Sequence, residues 1–126
     1  MRIEHIALWA IDIEALRSFY ATWFGATAGQ RYENPAKGFA SYFLSLADGP
    51  RLELMQRHDI TEARPSPSLG FAHIAISLGS ESAVDEQTAR MRAAGVPVLD
   101  GPRRTGDGYY ESVVLDPAGN HLELTA

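Results

Sequence analysis

Two histidines and two glutamates recur at matched places along this 126-residue chain. His5 stands in Glu4-His5-Ile6-Ala7-Leu8 and His73 in Ala72-His73-Ile74-Ala75-Ile76, 68 positions apart; Glu53 stands in Leu52-Glu53-Leu54 and Glu123 in Leu122-Glu123-Leu124, 70 positions apart. Imidazole nitrogen and carboxylate oxygen together suit a divalent cation such as zinc, nickel, cobalt, manganese or iron. A carboxylate flanked by leucines in a half-buried strand is costly unless it is paired or bound to a metal. Taken singly, a strand His is more often a satisfied polar residue, and a strand Glu more often part of a solvated face. The repeat changes that weighing, because the same residue type falls at the same phase twice. His5, Glu53, His73 and Glu123 are therefore expected to form one metal site. His58 and His121 lack a matched counterpart. With no cysteine in the chain, thiolate ligands, disulfides and cysteine nucleophiles are excluded.

Strands and helices must carry these residues inward. Side chains alternate along a strand, so His5 shares a face with Ala7 and Trp9 while Ile6 and Leu8 take the other; His73 goes with Ala75 and Ser77, opposite Ile74 and Ile76. Glu53 and Glu123 each oppose two leucines. In all four strands the aliphatic face must pack on a helix, leaving His or Glu on the other face, beside small residues in the His strands. The helices follow from capping and periodicity. Asp12 starts one over about 13–24, with Ile13, Leu16, Tyr20, Trp23 and Phe24 as its stripe and Gly25 as its stop. Ser80 or Ser82 starts a second, running to about Ala94, with Val84, Thr88 and Met91 on one side and Gly95 as the stop.

The remaining order is the same in both halves. Residues 3–9 are expected as a strand; 29–37 as a short strand leading into a loop; 38–46 and 51–56 as a hairpin around Asp48-Gly49. After the second helix, 97–99 form a short strand, 100–108 a loop, 109–115 a strand, 116–120 a turn and 121–125 the last strand, with 71–78 opening the half. The chain thus reads as one domain, 1–126, made of a first βαβββ module (1–58), a linker (59–69) marked by Pro65 and Pro67, and a second module (70–126). The fold class is α+β.

Bulk composition narrows the partners. Net charge is −5 with 21% charged and 45% hydrophobic residues, which disfavours nucleic acid and anionic membrane. No stretch approaches the ~18 apolar residues of a membrane span, and Met1-Arg2-Ile3-Glu4-His5 lacks the apolar block of a signal peptide; a cytoplasmic protein is expected. Trp9 and Met55, on the His5 and Glu53 faces, are candidate substrate contacts, with core packing the competing role. Arg103 and Tyr109, in or beside the Gly-rich loop, are further candidates. An arginine there can hold a substrate carboxylate, although solvated loop charge is the commoner outcome.

The four residues on two βαβββ copies resemble the vicinal oxygen chelate superfamily, which includes glyoxalase I, fosfomycin-resistance proteins, extradiol dioxygenases and methylmalonyl-CoA epimerase. Asp116-Pro117-Ala118-Gly119-Asn120 and Arg92-Ala93-Ala94-Gly95-Val96-Pro97 add to that likeness, which covers essentially the whole chain. It implies a cupped mixed sheet with helices outside, as in the glyoxalase/bleomycin resistance fold. Glu53 supplies a fourth ligand in the pattern of glyoxalase I, where the dioxygenases typically use two His and one Glu. The implied function is a metal-dependent lyase or isomerase that converts the hemithioacetal of a 2-oxoaldehyde to a 2-hydroxyacyl thioester. The cation, zinc or nickel foremost, polarises the carbonyl and stabilises an enediolate, and Glu123 moves the proton. The alternatives are an Fe(II) extradiol-type dioxygenase and a non-catalytic, bleomycin-resistance-like binding protein. The resemblance also implies a homodimer binding a small-molecule substrate, with the site either inside one chain or shared between two.

Overall fold

Asp12 and Gly25 fix the first helix at both ends. In the computed structural model, which describes residues 1–65 and 67–126, the Asp12 carboxylate accepts from the backbone N–H groups of Glu14 and Ala15, and Gly25 takes the left-handed conformation that ends helix α1 (Ile13–Phe24). The second helix, α2 (Glu81–Ala93), is capped by Ser80. The chain divides into two compact units, Met1–Ala63 and Arg64–Ala126. The expected linker, 59–69, contains Ser66, which lies outside the described residues.

In the first unit the order is β1 (His5–Trp9), α1, β2 (Thr27–Ala28), β3 (Tyr32–Asn34), a 3-10 turn at Pro35–Lys37, β4 (Phe39–Ser45) and β5 (Arg51–Arg57). The sheet runs β1-β5-β4-β2, with β3 also paired to β4. β1 and β5 are parallel, as the long connection through α1 requires. Leu44, Leu52 and Leu54 are buried, as are Ile13, Leu16 and Tyr20 of α1. Each such side chain contributes about 1.5–3 kcal/mol of apolar burial. The aliphatic face of the sheet is thus committed to the helix, and the His5–Glu53 face is left open.

The second unit repeats the plan with β6 (Ile74–Ser77), α2, β7 (Val98–Arg104), β8 (Tyr110–Leu115) and β9 (His121–Thr125). Its sheet runs β6-β9-β8-β7, with β6 and β9 parallel. Leu122, Leu124 and Val114 are fully buried with Val84, Thr88 and Met91 of α2. Thr88 donates or accepts at Ser112 Oγ, 2.6 Å away, so the one hydroxyl on the helix stripe is satisfied.

Three expectations change. The sequence assigned 100–108 to a loop, but β7 continues to Arg104. β7 is an edge strand, where Pro102 is tolerated because no ladder bond is lost on the outer side, and shifts in its register to β8 absorb the irregularity. Gly101 sits there at φ 77°, and a Cβ would lie 2.5 Å from the Glu111 carbonyl oxygen, so the close passage of β7 over β8 demands glycine. Secondly, β6 begins at Ile74 rather than Phe71, which is 87% exposed. Thirdly, the single strand expected within 29–37 is β3 followed by the 3-10 turn, with β2 a separate strand before it.

The helix side of the first sheet holds a charge network centred on Glu14. Its carboxylate accepts from Tyr42 Oη at 2.7 Å, Arg31 at 2.6 Å and Arg17 at 2.9 Å. These bonds, that from Tyr42 foremost, pull its pKa down to about 2. A carboxyl depressed in the folded state stabilises fully above its ordinary pKa near 4.5 and loses that contribution as pH falls toward 2. The side chain is 45% exposed, so screening holds its worth to about 1 kcal/mol. Urea unfolding should therefore show Glu14→Gln less stable than wild type by about that amount at pH 7, with the gap closing near pH 2; a gap that persisted there would assign the loss to packing instead.

Candidate metal centre

Both units present one His and one Glu from the same register. In the first, Ala7 pairs with Glu53 across the parallel β1–β5 ladder, and His5 stands two residues before Ala7. In the second, Ala75 pairs with Glu123, and His73 stands two residues before Ala75. The duplication is thus kept to the residue, and the alanines leave room over the sheet between imidazole and carboxylate.

The resulting distances match. His5 Nε2 lies 3.7 Å from Glu53 Oε2, and His73 Nε2 lies 3.5 Å from Glu123 Oε2. Both exceed a normal N–H···O hydrogen bond of about 2.7–3.2 Å. Two ligands each about 2.1 Å from one cation at a tetrahedral angle stand about 3.4 Å apart. The donor type and spacing in each pair therefore fit a shared cation without a large rearrangement. The carboxylates are the better covered members, 18% and 16% exposed against 39% and 46% for the imidazoles. Each unit by itself offers two candidate ligands, and among the described residues no group of three or more His, Asp or Glu side chains converges as a cation site.

The surroundings add residues that alternation along the strand did not reveal. Glu4 precedes β1 and so escapes the strand's alternation; its carboxylate pairs with His5 Nδ1 and with Arg51. The bond from His5, then that from Arg51, lowers the Glu4 pKa. With a cation on Nε2, a carboxylate on Nδ1 would hold the ring proton there and orient the imidazole. Phe43, edge-on to His5 with ring centres 5.4 Å apart and capped by the Arg51 guanidinium at 4.2 Å, supports the ring from below. The adjacency of Glu4 and His5 was the available signal.

In the second unit the added residue is Glu111 of β8, 7% exposed. Burial, then a hydrogen bond to Glu123 and that group's charge, raise its pKa, while Arg103 opposes the shift. The antiparallel register that sets Val113 against Glu123 and Glu111 against Thr125 puts Glu111 on the Glu123 face. Alternation along β8 alone does not say which neighbour Glu111 meets.

The candidate substrate residues fall in different places. Trp9 lines a cavity of about 290 Å³ in the first unit with Tyr32, Asn34, Lys37, Phe39 and Arg57. Met55 lies opposite Trp9 in the ladder and half-buried. Arg103 has its Nε 2.7 Å from Asp100 and a terminal nitrogen 3.3 Å from Glu111, so its guanidinium already answers two carboxylates. Tyr109 is exposed, and its main chain is tied to Thr105.

Known proteins supply the family. The sequence model of the Glyoxalase/Bleomycin resistance protein/Dioxygenase superfamily matches residues 2–124. An uncharacterized protein of Pseudomonas aeruginosa is 29% identical, the match covering 98% of this chain and 86% of that one. A glyoxalase family protein from Enterococcus faecalis superposes with a TM-score of 0.81 at 27% identity, over 98% of this chain and 96% of the other. The trypanothione-dependent glyoxalase I of Leishmania major gives 0.80 at 24% identity, over 99% and 86%, a likeness of fold. No described helix is long and apolar enough to cross a membrane. With two α+β modules on mixed sheets and a family match along nearly its full length, the chain belongs to the Glyoxalase/Bleomycin resistance protein/Dioxygenase superfamily.

Proposed function

We propose that this chain is a metal-dependent lyase or isomerase of the glyoxalase I kind, acting on the hemithioacetal of a 2-oxoaldehyde or a related substrate with vicinal oxygens. The site would form when the His5–Glu53 pair meets a His73–Glu123 pair, from the same chain or from a second copy in a homodimer. The observation that carries this reading is the paired donor spacing, 3.7 Å and 3.5 Å, at one register in both units. A divalent cation, zinc or nickel foremost, would supply Lewis-acid polarisation of a carbonyl and stabilise charge on two adjacent oxygens.

The protein's own groups do the rest. Glu4 holds His5 in the tautomer that leaves Nε2 free, and Arg51 holds Glu4. Glu123 is the base: it takes the proton from the carbon bearing the hydroxyl and returns it to the neighbouring carbonyl carbon, while the hydroxyl proton passes to the former carbonyl oxygen, an isomerisation with no net redox change. Glu111, buried and hydrogen-bonded to Glu123, keeps that carboxylate oriented. A carboxyl relay of this sort contributes about 10²–10⁴-fold in rate.

Elemental analysis of protein purified without added metal tests the proposal. About one divalent ion per chain is expected in wild type, and His5→Ala and His73→Ala should each lose most of it. Metal-free wild-type protein that takes up no zinc or nickel on dialysis would sink the reading and favour a binding protein.

A further inference from the structure

The cavity beside Trp9 combines two chemistries. Its walls are aromatic: Trp9 and Phe39 meet edge to face with ring centres 6.3 Å apart, and Tyr32 and Phe39 at 6.1 Å. Its charge is positive. The Arg57 guanidinium stands 5.2 Å from the Trp9 ring centre and gives its Nε to Asp59. Lys37 has no ion-pair partner among the described residues. Two cations against one carboxylate leave a local positive excess in a chain whose net charge is −5. Rings at such angles accept a further flat ring by stacking or edge contact, and the half-buried Arg57 guanidinium with the exposed Lys37 ammonium at the rim attracts an anion. The volume, about 290 Å³, sits near the lower end of the ~300–1,000 Å³ found for small-ligand pockets.

Position links the cavity to the candidate metal centre. Trp9 lies four residues beyond His5 on β1, and Arg57 four beyond Glu53 on β5, on the same open face of the sheet. Four residues of strand span about 13 Å. The floor between carries Ala7, Ser41 and Met55. We infer that the cavity binds a flat aromatic carboxylate, as the non-reacting end of an extended substrate whose vicinal oxygens lie at His5 and Glu53. The assignment to substrate rests on the proposed metal reading; the binding itself does not.

Calorimetric titration of metal-free protein tests the pocket on its own. The probes are 2-naphthoate, its neutral amide 2-naphthamide, and the saturated decahydro-2-naphthoate. Naphthoate should bind about tenfold more tightly than either of the others, the tenfold loss corresponding to one good charge or ring contact. Lys37→Met should erase the advantage over the amide, and Trp9→Leu the advantage over the saturated acid, with both variants unfolding at the wild-type temperature. Equal affinity for acid and amide, equal affinity for flat and saturated acid, or wild-type affinity in both variants overturns the inference. Naphthoate bound by a protein that never takes up metal would uphold the pocket and sink the metal reading; a metal-loaded protein that ignores naphthoate would do the reverse.

Discussion

Glu123→Gln should lower kcat by about 10²–10⁴-fold, the usual worth of a positioned general base, while leaving the fold intact. Glutamine keeps the volume and one ligating oxygen but cannot take up a proton. The side chain also sits against Glu111, whose carboxyl can still hydrogen-bond to the amide. The assay is conversion of a thiol–methylglyoxal hemithioacetal to the thioester at saturating zinc or nickel. Glu53→Gln is the informative comparison, since Glu53 occupies the equivalent register position in the first unit. If Glu123 is the base, Glu53→Gln should lose markedly less. Equal losses would show that the two carboxylates share the work, and unchanged turnover in Glu123→Gln would remove its assigned role.

Stripping the metal should cost roughly 10 °C in Tm. A ligand present at 100 times its Kd stabilises the folded state by about 2.7 kcal/mol, and in a domain of this size each kcal/mol is worth about 4 °C. Thermal unfolding with and without a chelator, followed by readdition of zinc or nickel, reads the effect directly. His5→Ala and His73→Ala should unfold at temperatures that no longer respond to chelator. The two variants test different units, so a response lost in one and kept in the other would confine the cation to a single His–Glu pair. A wild-type Tm that ignores both chelator and metal would contradict a shared cation site.

The helices were readable because their signals are local. Asp12, Gly25 and Ser80 act on the backbone within one turn, and the stripe Ile13, Leu16, Tyr20 needs only helical periodicity. The strands holding Glu53 and Glu123 were readable because alternation against leucines fixes which way each glutamate points. Edge strand β7 was not. Gly101 and Pro102 look like loop residues in isolation, and their place in a strand depends on β8 running beside them. The start of β6 departs from its sequence pattern for a similar reason: Phe71 has strand-forming chemistry, but nothing in its own unit covers it.

By itself, then, the sequence determined the duplication, the helix limits, the face on which each His and Glu stands, and the absence of thiolate chemistry. Tertiary structure decided which side chains meet. The parallel register of β1 with β5 and of β6 with β9 set the two His–Glu separations. Antiparallel pairing brought Glu111 to Glu123, and the chain end before β1 folded Glu4 back onto His5. Alternation is a property of one strand and survives in one-dimensional text. Register is a relation between strands distant in sequence, fixed only when both aliphatic faces are packed on their helices.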